Sequence, residues 1–134
     1  MFDLLDMGAS GLTAQRIRLD TIAGNIANTN TTHDANGNPN PYRRRFVIFG
    51  AGQAGDTSKP GVHVQSVETD KSPLSRRYDP GNPDADKSGY VLYPNVDLTV
   101  EFVNGLEASR AYEADVTMMD TAKSMFNSSL RLLA

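Results

Sequence analysis

Residues 97–134 constrain this chain most. Stepping by four and three, they place Leu98, Phe102, Gly105, Ser109, Tyr112, Val116, Met119, Lys123, Phe126, Leu130 and Leu133 at one recurring position. A helix completes a turn in about 3.6 residues, so this spacing gathers them into a single, mostly apolar stripe. Met118, Ala122, Met125 and Leu132 widen it, and no proline interrupts the run. Asp97 follows the turn-forming Tyr93-Pro94-Asn95 and is placed to cap the free N–H groups of the first turn. A helix of this span is about 54 Å long, more than a small globular core covers. It needs a partner.

The other end of the chain offers one. Leu5, Ala9, Leu12, Arg16, Leu19, Ala23 and Ile26 keep the same rhythm, with Phe2 and Ile22 beside them. Two such segments can pair as an antiparallel coiled coil or pack into a multi-chain helical layer. The plainer alternative is two amphipathic helices that each cover a local core. The 134 residues leave room for one domain. The expected fold is mainly α with a small β region. An N-terminal helix over 1–28 and a C-terminal helix over 97–134 pair as one stem, joined by a loop- and β-rich middle over 29–96.

Gly8, Ser10 and Gly11 weaken the first helix, by up to about 1 kcal/mol per glycine, so its neighbours must hold it. The run Asn25-Ile26-Ala27-Asn28-Thr29-Asn30-Thr31-Thr32 frays it out, because short polar side chains compete for the backbone. In the middle, Tyr42 to Phe49 reads as a strand and Gly61 to Thr69 as its hairpin partner. Arg76-Arg77-Tyr78 is a candidate short strand, residues 79–86 are turn formers, and Gly89 to Tyr93 is briefly extended.

Little in the sequence points to catalysis. His33 and His63 lie far apart with no metal-ligand spacing around either. Asp79, Asp84 and Asp86 lack the order and closing glutamate of a calcium loop. No serine stands beside an activating base, and no phosphate-binding glycine loop is present. We therefore expect no catalytic residues, no metal ligands and no cofactor. A net charge of −3 argues against general nucleic-acid binding. No cysteine is available for a disulfide, and no apolar run reaches 18 residues, so direct membrane insertion is not expected. Acidic and basic side chains break up the N-terminal apolar residues, which is unlike a cleaved signal peptide. Arg16 and Lys123 interrupt the stripes, either to fix register or with stems that reach out to solvent.

Several motifs, in order along nearly the whole chain, resemble the flagellar basal-body rod protein family. They are Leu12-Thr13-Ala14-Gln15 with Ala23-Gly24-Asn25-Ile26-Ala27-Asn28; Pro41-Tyr42-Arg43-Arg44; Tyr78-Asp79-Pro80-Gly81-Asn82-Pro83 with Tyr93-Pro94-Asn95-Val96-Asp97; and Glu101 with Ala108-Ser109-Arg110-Ala111-Tyr112-Glu113-Ala114. Asp115 departs from the asparagine the family commonly has there. The resemblance implies a non-enzymatic structural subunit that assembles helically into the rod, transmits torque and walls the export channel. Its partners would be other rod subunits, basal-body proteins and further copies of itself. It would leave the cytosol through the flagellar type III export apparatus without a cleaved signal, for the basal body in the periplasmic or cell-wall space. Packing would fall to Leu5, Leu12, Leu19, Ile26, Tyr112, Val116, Met119, Phe126 and Leu130. Asn25, Asn28, Tyr42, Arg43, Asn95 and Arg110 carry the motifs, and would join the helices to the middle or one subunit to the next. A coiled-coil adaptor outside the flagellum is the competing reading. It would share the stripes but has no reason to carry the motifs of residues 79–97.

Overall fold

A computed structural model describes residues 2–134. Two helices dominate it: α1, Phe2–Ala27, and α2, Leu98–Leu133. Between them lie four strands, β1 Arg45–Ala51, β2 Val62–Thr69, β3 Ser75–Tyr78 and β4 Tyr90–Tyr93. α2 starts where its cap dictates. Asp97 is extended (φ −98°, ψ 110°) and its carboxylate accepts from the N–H of Thr99 at 2.9 Å and Val100 at 3.4 Å.

The helices run antiparallel, and matched contacts fix the register. Phe2 meets Phe126 with ring centroids 6.3 Å apart, Gly8 lies against Met119, and Gly11 against Asp115. Farther along, Arg18 pairs with Glu107 at 3.5 Å, Ile22 packs on Gly105, and Asn25 bonds Glu101 at 3.1 Å. The glycines that weaken α1 in isolation are what let α2 close on it. A Cβ at Gly8 would stand 2.7 Å from Met119 Cγ, nearer than packed atoms come. The chain therefore gives up intrinsic helix propensity for close approach.

α1 is also backed by the β1–β2 hairpin. Ser10 Oγ accepts from the Val62 N–H at 3.2 Å, and Asn25 reaches Arg45. The hairpin is antiparallel with a bulge between Ile48 and Phe49. Its first strand starts at Arg45, three residues later than the β-prone sequence suggests. Tyr42 N–H donates instead to Thr31 O (2.9 Å) and Arg44 N–H to the Asn95 side chain (2.8 Å), so these residues are held off the ladder. β3 and β4 form a second antiparallel ribbon, with Arg76 stacked over Tyr90 and Arg77 over Tyr93. The acidic turn before β4 is capped from within. Asp86 accepts from the N–H of Ser88 and Tyr90, and Asp84 pairs with His33 at 2.8 Å.

Candidate functional site

Where α1, α2 and the middle segment meet, the structure buries a polar junction. Asn25 and Glu101 are both fully enclosed, at 0% exposure, and burial of such groups is costly unless every bond is satisfied. The Asn25 amide meets that demand. Its NH2 donates to Arg45 O (2.7 Å) and to Glu101 Oε2 (3.1 Å). Its Oδ1 accepts from the Tyr42 hydroxyl (2.9 Å) and the Arg45 N–H (2.9 Å). Every donor and acceptor site of an amide is thereby used.

Glu101 Oε1 takes the Arg44 Nε–H, and Arg44 Nη1 also stands 3.6 Å from Asp70. Asn95 closes the ring of contacts. Its Oδ1 accepts from the Arg44 N–H, and its NH2 donates to Asp70 O (3.2 Å) and Ser72 O (3.1 Å). Arg43 Nη1 reaches the same Ser72 carbonyl at 3.0 Å. The environment shifts the neighbours as expected. Burial pushes the Tyr42 hydroxyl up, with Arg45 opposing. Hydrogen bonds from Ser72 and the nearby Arg44 hold the Asp70 carboxyl below its ordinary range. This arrangement locks two helices and the middle segment at one point.

The motif residues separate into groups. Asn25, Tyr42, Arg43 and Asn95 converge on the junction. Asn28 instead closes the end of α1, donating to Gly24 O at 2.8 Å and accepting from Thr31 at 3.0 Å. Arg110 lies exposed on α2 and takes no part. Two junction members, Arg44 and Glu101, are not among the site residues expected from the sequence. Glu101 had a visible signal, a carboxylate one turn beyond a cap, on the helix face whose later members are Gly105, Ala108 and Tyr112.

The expected packing residues of α1 lie beside the closed seam rather than in its centre, whereas Met119 and Phe126 of α2 meet α1 across it. On α1 the seam is Gly8, Gly11, Arg18, Ile22 and Asn25, and the stripe Leu5, Leu12, Leu19 and Ile26 is turned about 100° from it. Leu5, Leu12, Leu19, Ile26, Tyr112, Met119 and Phe126 are half-buried, Val116 is 38% exposed and Leu130 49%. A groove of about 400 Å³, lined by Leu19, Ile22, Ala23, Ile26, Phe102 and Leu106, opens along this side. Phe102 and Leu106 are 58% and 62% exposed. Arg16 and Lys123 both reach solvent, the outcome in which their stems run out to water. Among the described residues no three His, Asp or Glu side chains gather as a metal site would require, and no helix is long and apolar enough to cross a membrane.

Comparison with known proteins places both ends of this architecture. Residues 5–32, α1 and the turn after it, match the family model described as flagella basal body rod protein. Residues 87–132, from the turn before β4 almost to the end of α2, match the one described as flagellar basal body rod FlgEFG protein C-terminal. The flagellar basal-body rod protein FlgC of Borreliella burgdorferi is 42% identical, covering 99% of this chain and 97% of the relative. The FlgC proteins of Escherichia coli O6:H1 and Bacillus subtilis are 40% and 38% identical, each covering 98% of this chain and 97% of the relative. The chain belongs to the flagellar basal-body rod protein family, alongside its FlgC members, and is a structural subunit of the bacterial flagellar basal-body rod.

Proposed function

We propose that the subunit joins the rod through the half-open apolar side of its helix pair, while the buried junction holds that side rigid. The observation carrying this is the row of large apolar side chains left exposed on α2, Phe102, Leu106, Val116 and Leu130, of which Phe102 and Leu106 line a groove with the half-buried Leu19 and Ile26 of α1. A lone domain gains nothing from exposing such a row, whereas neighbours packed on it bury it at roughly 25 cal/mol per Å². Leu5, Leu12, Tyr112, Met119 and Phe126 support the same side from beneath. Contacts between two different patches leave an assembly open, the form a helical rod needs, and its neighbours would include copies of this chain and other basal-body proteins. In this reading the subunit passes through the flagellar type III export apparatus without a cleaved signal and works in the periplasmic or cell-wall space, carrying torque and lining the export channel.

Leu130→Asp tests the reading. Leu130 is half exposed and lies beyond the Phe2–Phe126 contact, so the monomer's circular dichroism and melting should stay as they are. Incorporation into rods, and with it motility, should be lost. Motile cells with this variant in their rods would refute the packing role.

A further inference from the structure

Two carboxylates lie at the helix seam, Glu101 fully buried and Asp115 half-buried, and they are treated differently. Glu101 has Arg44 and Asn25. Asp115 has no counter-ion: its carboxylate lies in the notch left by Gly11, where a Cβ would stand 2.6 Å from Oδ2, and no salt bridge among the described residues reaches it. None of the surrounding charges forms an ion pair with it among the described residues. On α1, Arg18 pairs with Glu107 and Arg16 is exposed. On α2, Arg110, Glu113, Asp120 and Lys123 are exposed. Asp6 and His63 belong to the other side of α1, where they line a cavity against the hairpin. One turn from Gly11, at the same helical position as Gly8 and Ile22, Gln15 carries a buried Oε1 with no hydrogen-bond donor. An acid without a cation and, one turn on, an acceptor without a donor thus lie along the seam, and a proton taken from solvent neutralises the first.

We propose that Asp115 makes the helix pair proton-sensitive: with its carboxyl neutral, α1 closes on α2 across the Gly11 notch, and with it ionised the seam loosens at that level. The site lies midway along α2, so the two long helices carry a release near their centre. Burial, which pushes the Asp115 carboxyl above its ordinary range, has the matching sign. The penalty is absent below the unfolded value of about 3.9, where both states hold the proton. It grows as pH rises and is complete above the folded value.

The test compares the full chain with Asp115→Asn in thermal melts from about pH 3.5 to 7.5. Asp56, Asp70 and Asp86, held below the ordinary range, change stability in the opposite direction. They are common to both proteins and cancel in the difference. The variant's advantage should be near zero at the acid end and grow by several degrees toward neutrality, with amide exchange across residues 8–15 slowed several-fold at pH 7. A constant difference, or a variant that melts lower at every pH, would overturn the proposal. So would a carbon-detected titration of the unaltered chain that finds the Asp115 carboxyl at or below its ordinary value.

Discussion

Replacing Asn25 by alanine should come close to unfolding the subunit although it removes only the three heavy atoms of one side-chain amide. The loss can be worked from the four bonds of this one amide. At about 1 kcal/mol net for each, the bonds alone come to roughly 4 kcal/mol. Their partners are worse placed than that sum suggests. Glu101 Oε2 is left enclosed without its Asn25 donor, and the Arg45 N–H and C=O, at the first pair of the β1–β2 ladder, lose the partner they have in Asn25. A buried orphan such as Glu101 Oε2 costs about 1–3 kcal/mol unless water enters. A loss of about 4–6 kcal/mol is a large part of a typical domain stability of 5–15 kcal/mol. At roughly 3–5 °C per kcal/mol for a chain of this length, it predicts a fall in Tm of some 12–30 °C. The assay is a circular dichroism melt of the purified chain, with the Arg45 amide followed by NMR. A loss under about 1 kcal/mol would refute the view that this junction, rather than the apolar seam, locks the helices to the middle.

Gly52→Ala should destabilise the chain by more than about 1–2 kcal/mol in denaturant titration. Its φ is +94° and an added Cβ would meet the Thr57 backbone at 2.5 Å, which no side-chain movement relieves. Asp70→Asn should flatten the loss of stability on acidification. A carboxyl held below its ordinary range adds stability that is present above about pH 4 and lost as pH falls through the folded value, and the asparagine has no proton to gain. Melts of both proteins between about pH 2 and 6 check this, and parallel curves would count against it.

The sequence announced α2 almost to the residue, because a capping aspartate and a proline-led turn mark its start and nothing inside it breaks the pattern. The hairpin was visible for a related reason, as β-branched and aromatic runs separated by glycine and proline. The seam was less legible. Periodicity weighs large apolar side chains, so it selected Leu5, Leu12, Leu19 and Ile26, whereas close contact is made by Gly8 and Gly11, which carry no hydrophobic signal. On α1 the stripe it found lies half-buried beside the seam, while Met119 and Phe126 of α2 do meet α1 across it. Nor could spacing show that Asn25, Tyr42, Arg44, Asn95 and Glu101 converge, because their bonds span up to 76 positions of sequence. The pairing of β3 with β4 was hidden too, since four-residue strands carry too little pattern to name a partner.

The central claim is that the open apolar side of the helix pair is covered by neighbouring subunits. The chain has no cysteine, so a single Leu106→Cys gives one reporter on that side, at a position 62% exposed in the isolated subunit. We would measure its rate of labelling by a water-soluble maleimide in the free chain and in purified rods. The account predicts rapid labelling of the free chain and protection by at least tenfold in the rod. Equal labelling in both would contradict it.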